Sequence, residues 1–273
     1  MPESETAATS AHDAIALRQV RRATPEGVVE IQDALAVERW LRITLNGREV
    51  AALMCSPGHE EELGAGFALT QGLIRGRQDL LSVGVRADAE HGEAVRIVVP
   101  FDLSRAMADR VSARGSCGGV VSADEDLPVL EGDNPVLPAE ALHHMARSMA
   151  AAQEIYRQTG GTHAAGIFSA GGEPVVVRED VGRHNAVDKA VGYCLLGEVP
   201  LQDKVLVVSG RASREIAAKA VRAGLPILAS ISAATDAGVD IAERCGLTLV
   251  AFLRGRRMNV CTHPHRIDMR AAP

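Results

Sequence analysis

The chain has 273 residues, enough for one large or two modest domains. Its composition, 47% hydrophobic and 23% charged with 3% aromatics, excludes a disordered chain and leaves Ala, Val and Leu to fill the core. The net charge of −6 argues against a coat of nucleic acid, and no uncharged run approaches the roughly 18 apolar residues of a membrane span.

The start, Met1-Pro2-Glu3-Ser4-Glu5, is acidic and lacks the basic-then-apolar plan of a signal peptide, so a cytoplasmic protein with neither nucleic acid nor membrane as partner is expected. Residues 1–25 read as a mobile leader, and 26–111 as a small α+β subdomain. Within it, alternation over 40–45 and 50–54 around Asn46-Gly47 predicts a hairpin with a type I′ turn. Helical spacing over 59–72 buries Leu63, Phe67 and Leu69, and short strands are expected near 81–85 and 95–99. Residues 112–135 are rich in Gly, Ser, Asp and Pro and read as a long functional loop. From 136 to 273 the pattern is that of an α/β domain. Pro138 opens a helix running to Gly160-Gly161, strands follow at 164–169 and 175–178, and an amphipathic helix carries Val187, Ala190, Val191, Cys194 and Leu195. Strands at 205–209, 227–230 and 247–253 then alternate with helices at 213–223 and 236–245, which predicts a largely parallel sheet. Ser213 and Gly224 are the expected caps of the first of these helices.

Four stretches carry residue types suited to chemistry. Cys117 sits in Arg114-Gly115-Ser116-Cys117-Gly118-Gly119, where glycines leave room for a partner and Arg114 favours thiolate. The other cysteines, Cys55, Cys194, Cys245 and Cys261, are scattered, and an odd count in a reducing compartment reads as free thiols. Thr162-His163 and the run Arg178-Glu179-Asp180-Val181-Gly182-Arg183-His184-Asn185 form a second group; spacing alone leaves a solvated loop and a ligand-holding strand end equally open. Ser209-Gly210-Arg211-Ala212-Ser213-Arg214 is a strand-to-helix turn with the makings of a phosphate cradle, though a plain N-cap also explains Ser213. Finally, residues 252–270 hold five Arg and one Asp, a net +4 against −10 elsewhere, which suits a polyanionic ligand. Zinc is not expected: His59-Glu60-Glu61 satisfies H-x-E, but no P-C-x-x-C follows. Gly64-Ala65-Gly66 lacks both the third glycine and the leading strand of a dinucleotide fingerprint.

In order along the chain, Glu62-Leu63-Gly64-Ala65-Gly66-Phe67, Ser116-Cys117-Gly118, Thr162-His163-Ala164-Ala165, the long block from Arg178 through Asp188-Lys189, Ser209-Gly210-Arg211-Ala212-Ser213, Ser230-Ile231-Ser232-Ala233-Ala234-Thr235 and Val260-Cys261-Thr262-His263-Pro264 resemble the FdhD/NarQ family of formate dehydrogenase accessory sulfurtransferases. The likeness covers residues 28–268 or so. It implies a cytidine deaminase-like three-layer α/β fold without zinc, in a homodimer. It also implies a sulfur carrier that takes persulfide from a cysteine desulfurase and delivers it to the molybdenum (or tungsten) bis(molybdopterin guanine dinucleotide) cofactor of formate dehydrogenase. On that resemblance Cys117 is the persulfide cysteine, and Phe252, Leu253, Arg254, Gly255, Arg256 and Arg257 bind cofactor, for which GDP is a surrogate. Ser209, Arg211, His184 and Asp180 are the expected helpers. The family loop reads C-G-x-C-G, whereas Val120 stands here at the second cysteine. A two-thiol relay within the loop is therefore excluded, and a cofactor-binding chaperone without sulfur transfer is the alternative.

Overall fold

The computed structural model describes residues 11–88, 92–101, 127–131 and 135–270. A hairpin of β1 (Ile15–Thr24) and β2 (Gly27–Ala36) comes first. Residues 15–24, expected in the leader, are thus a strand in register with β2 from Ile15↔Ala36 to Thr24↔Gly27. Its sequence carries little strand signal, because Arg18, Arg21 and Arg22 dilute the alternation and the pairing that holds β1 comes from another strand.

Strands β3 (Arg39–Leu45), β4 (Arg48–Cys55), β5 (Ser82–Asp88) and β6 (Gly92–Val98) form a second sheet in the order β4-β3-β6-β5. Its β3–β4 turn is as expected: Asn46 and Gly47 both have positive φ, 47° and 80°. Helix α1 (Glu60–Thr70) covers this sheet.

The main sheet has the order β13-β12-β11-β10-β8-β9. Its strands are β8 (His163–Ser169), β9 (Pro174–Asp180), β10 (Lys204–Val208), β11 (Ile227–Ser230), β12 (Thr248–Arg254) and β13 (Arg257–Val260), while β7 (Leu137–Pro138) and β14 (Ile267–Asp268) make a separate short pair. The helices are α2 (Ala139–Ala152), α3 (Glu154–Thr159), α4 (Arg183–Leu196), α5 (Arg214–Arg222) and α6 (Asp236–Arg244).

The expectation of a largely parallel sheet does not hold. Only β10–β11 and β11–β12 are parallel; β12–β13, β8–β10 and β8–β9 are antiparallel. Crossover helices α5 and α6 impose parallel pairing on the middle strands. The short links 170–173 and 255–256 can only fold back.

Strand alternation sorts the core. Val205, Val207, Ile227 and Ala229 face α2 through Leu142, Met145 and Met149. Leu206, Val208, Leu228 and Leu249 face α4, α5 and α6 through Val187, Val191, Ile216 and Ile241. Burial on both faces is why β10 and β11 read as continuous apolar runs. The second core continues without a break through α1 into Leu41, Ile43 and Val95 of the small sheet.

The helix expected from Pro138 to Gly160 is broken at Gln153, whose ψ is 83°. The Glu179 carboxylate accepts hydrogen bonds from the backbone N–H of Ile155 and Tyr156, 2.9 and 2.8 Å, and from Thr162 Oγ1. It thereby supplies the acceptors that start α3 anew.

Candidate site at the strand-end rim

Two antiparallel steps make β9 run the same way as β10, so β9, β10, β11 and β12 all end on one edge of the sheet, where β8 and β13 begin. His163, Asp180, Ser209, Ser230, Arg254 and Arg257 therefore share a rim, and α4, α5 and α6 start from it. Helix N-termini there point unpaired N–H groups outward, the usual place for an anion in such sheets.

The run Arg178 to Lys189, read as one polar loop, divides by face. Asp180 is fully buried. Its Oδ2 accepts from Ser56 N–H (3.0 Å) and pairs with Lys189 Nζ (2.7 Å), and its Oδ1 accepts from Gly182 N–H and Asn185 Nδ2. Both oxygens are taken by these protein partners around α4, so Asp180 acts as a positioning residue and has no oxygen left for the cofactor contact expected of it. Asp188 lies equally deep, with Lys219 Nζ 2.7 and 2.8 Å from its two oxygens and Thr70 Oγ1 at 2.6 Å. These pairs lock α4 to the β4–α1 link and to α5; breaking one partner of such a pair costs about 3–5 kcal/mol.

Arg178 reaches Glu62 with a two-point fork, Nε–Oε2 2.7 Å and Nη2–Oε1 2.9 Å, and its guanidinium lies 4.9 Å from the Tyr193 ring centroid. Burial pushes the Glu62 carboxyl up, but hydrogen bonds from Arg178 and His59 outweigh it and hold the group below the usual carboxylate range. A depressed carboxylate stabilises the fold above its unfolded pKa, about 4.3, and that stability is lost as pH falls through the folded value. Urea midpoints measured from pH 7 down to 3 should therefore show a shallower acid limb in Glu62→Gln than in wild type; equal limbs would show that this pair carries no folding-linked proton.

On the rim itself, His163 Nδ1 is 3.3 Å from Ser209 Oγ, which also accepts from Ala164 N–H (2.9 Å). Burial, then the charges of Arg183 and His184, lower the His163 pKa and favour neutral imidazole. His184 Nε2 lies 2.8 Å from Glu215 Oε2, and the imidazole holds the Glu215 carboxyl below its ordinary range. Arg211 is exposed. Ser213 stands at the N-cap of α5 as expected, but its side chain makes no cap, and its Oγ is buried with no hydrogen-bond partner. Gly224 does end the helix with φ 76°.

The basic segment lies two strands from Ser209, about 10 Å by strand spacing. A register shift between Ala251 and Arg254 marks a bulge in β12, and Phe252 takes φ 53° there, a conformation costly for an aromatic residue. Its N–H bonds to Ser232 O (2.8 Å) and its ring remains 38% exposed. Leu253 turns inward and is 1% exposed, so it anchors the bulge in the core and offers a ligand no side chain. Arg254 Nε donates to Ile231 O at 2.7 Å, with its guanidinium 5.9 Å from the Phe252 centroid. Gly255, φ 57°, makes the turn that places exposed Arg256 and Arg257 beside Arg254.

The loop from Ile231 to Thr235 bridges the two segments: Ser230 Oγ donates to Gly210 O, and Ala212 N–H to Ala233 O. No site role was expected for it, because only sheet order reveals that it lies between them.

Cys117 lies outside the described residues. Burial pushes the thiols of Cys55 and Cys194 up to about 12, and Cys245 is buried. Cys261 is exposed, with a thiol raised by partial burial. Among the described residues, no three His, Cys, Asp or Glu side chains are grouped to hold a metal, and no helix is long and apolar enough to cross a membrane.

The FdhD/NarQ family model matches residues 36–268. This chain belongs to the FdhD/NarQ family. It is 42% identical over 263 residues to the sulfur carrier protein FdhD of Nocardia farcinica, covering 92% of this chain and 94% of that one. The sulfur carrier protein FdhD of Mycobacterium tuberculosis is 39% identical over 272 residues, covering 93% and 99%. Among solved structures, a chain described as a formate dehydrogenase accessory protein from Desulfotalea psychrophila superposes with a TM-score of 0.76 at 28% identity, over 93% of this chain and 99% of that one. The family and its relatives support a sulfur-carrier role.

Proposed function

We propose that this protein receives sulfur as a persulfide on Cys117 from a cysteine desulfurase. It delivers that sulfur, as a dimer, to a molybdenum or tungsten bis(molybdopterin guanine dinucleotide) cofactor destined for formate dehydrogenase. The observation that carries the reading is family membership across most of the chain, with relatives named sulfur carriers. In the first step the Cys117 thiolate attacks the terminal sulfur of the desulfurase persulfide; a new S–S bond forms as the old one breaks, and the desulfurase cysteine leaves as thiolate. Cys55 and Cys194, with thiols near 12, are poor candidates for that attack.

The cofactor is cargo, and its guanine dinucleotide arms are polyanions. Phe252 offers an exposed ring for a purine, and Arg254, Arg256 and Arg257 crowd one turn with no salt bridge to a carboxylate among the described residues. GDP should therefore bind as a surrogate. Calorimetry should find Arg256→Ala/Arg257→Ala at least about tenfold weaker, since each charge-assisted phosphate contact is worth about 1.5–3 kcal/mol. Equal affinity would remove the ligand from this turn.

One observation favours a second reading, a chaperone that holds cofactor without moving sulfur: Val120 replaces the second loop cysteine. That reading predicts GDP binding with no sulfur on Cys117.

A further inference from the structure

We infer that the turns opening α4 and α5 form a second oxyanion site on the rim, built on Arg183 with His163, His184 and Ser209, and suited to a phosphoryl group. Arg183 is half-buried, its Nε is shut off from solvent with no hydrogen-bond partner, and no salt bridge ties it among the described residues. The neighbouring carboxylates have closer partners, although Glu215 also feels the Arg183 charge. Asp180 is held by Lys189 and backbone N–H groups, Glu179 by the start of α3 and Thr162, and Glu215 by His184. A guanidinium Nε closed to water and without a hydrogen-bond partner is costly, and an anion from outside would supply that partner.

The surroundings fit such an anion. Gly210 packs so closely on this corner that an added methyl group would sit 3.2 Å from Arg183 Cβ and Cδ and 3.6 Å from His163 Nδ1. The end of β10, the start of β8 and the start of α4 therefore meet there. His163 and His184 add groups that donate when protonated, and Ser209 adds a hydroxyl. The first-turn N–H groups of α4 and α5 contribute partial positive charge. On the same turn, Ser213 Oγ is a further buried polar atom with no partner. The site is about 10 Å, two strand spacings, from the Phe252 bulge, so one extended ligand can reach both and two separate anions can also be held apart.

This inference rests on the proposed view of the rim as the ligand face, but its test does not need the cofactor. Inorganic diphosphate titrated into the full-length protein should bind, and Arg183→Gln should weaken it at least about tenfold. Arg21→Gln, an exposed arginine on the first hairpin, should leave diphosphate binding within about twofold, well under the effect of one charged contact. Diphosphate should also shift the ring C–H resonances of His163 in wild type and move its titration upward, because an added anion opposes the charges of Arg183 and His184 that help to lower it. That readout decides the matter even if Arg183→Gln fails to fold.

No diphosphate binding, unshifted His163 resonances, or unchanged affinity in Arg183→Gln would overturn the site. If GDP binds through Arg256 and Arg257 while diphosphate ignores Arg183, the second site falls and the proposed function stands. If diphosphate binds through Arg183 and GDP does not bind, the reverse holds. Competition identifies the source: displacement by GDP means the phosphoryl group belongs to the nucleotide, and simultaneous binding means a separate anion. Both results support the site.

Discussion

After incubation with a cysteine desulfurase and cysteine, wild-type protein should carry one added sulfur atom, on the peptide containing Cys117, and Cys117→Ala should carry none. The expectation is all-or-none because three of the other four thiols are buried and unfit for the exchange. At pH 8 a thiol with a pKa near 12 is about one part in ten thousand thiolate, so Cys55 and Cys194 are nearly silent as nucleophiles. Both are also fully buried, which bars a protein donor from reaching them. Cys245 is buried as well. Cys261 is the one exposed thiol among the described residues, and its Sγ lies 3.8 Å from Asn259 O. Intact mass with peptide mapping separates the outcomes. A full sulfur load in Cys117→Ala, or a load found on Cys261, would overturn Cys117 as carrier. A wild-type protein that binds GDP and never gains sulfur would favour the chaperone reading.

The largest effect on folding should come from a pair of glycines. Where α1 crosses α4, Gly66 lies against the backbone of Asp188 and Gly192, and Gly192 against the backbone of Glu62 and Gly66. A methyl group at either position would overlap a carbonyl oxygen of the facing helix, and backbone, unlike a side-chain tip, cannot swing aside. The close approach also sets the depth at which Thr70 meets Asp188 and Lys219. Gly192→Ala should therefore cost about 3 kcal/mol or more, beyond the ordinary range of overpacking, and lower Tm by roughly 6 °C or more. Gly171→Ala is the control. Its added methyl would find only Ser169 Oγ at 3.6 Å, and its Tm should stay within about 3 °C of wild type. If Gly192→Ala melts with the control, the two helices do not meet through their backbones. This contact also accounts for Gly64-Ala65-Gly66: the motif is spaced for a helix crossing, and Gly64 gives the same helix room against Val95 of the small sheet.

The part of the rim legible from residues alone was the part made by short-range rules. Strand-to-helix turns at Ser209 and at Asp180 follow from a change of hydrophobic period, and the arginine-rich turn after β12 follows from charge count. What could not be read was the direction in which each polar side chain points. Asp180 and His184 are four residues apart in one polar run. Yet Asp180 is fully buried on Lys189, whereas His184 meets the half-buried Glu215 of α5. The partners lie in other elements, and no local pattern names them. Ser213 shows the same limit: its position at the N-cap was readable, and the failure of its hydroxyl to cap was not.

The sequence by itself determined the family, the hairpin at Asn46-Gly47 and the alternating strands and helices from Lys204 to Arg254, because turn chemistry and residue period act over a few neighbours. Tertiary structure alone decided that β8 and β9 join the sheet antiparallel and that Ile15–Thr24 pairs into a hairpin. It likewise decided that Glu179 breaks the helix at Gln153 and that Arg183 Nε is buried with no hydrogen-bond partner among the described residues. Each of these depends on hydrogen bonds, burial or charge supplied by residues distant in the chain, and those energies exist only once the elements have met.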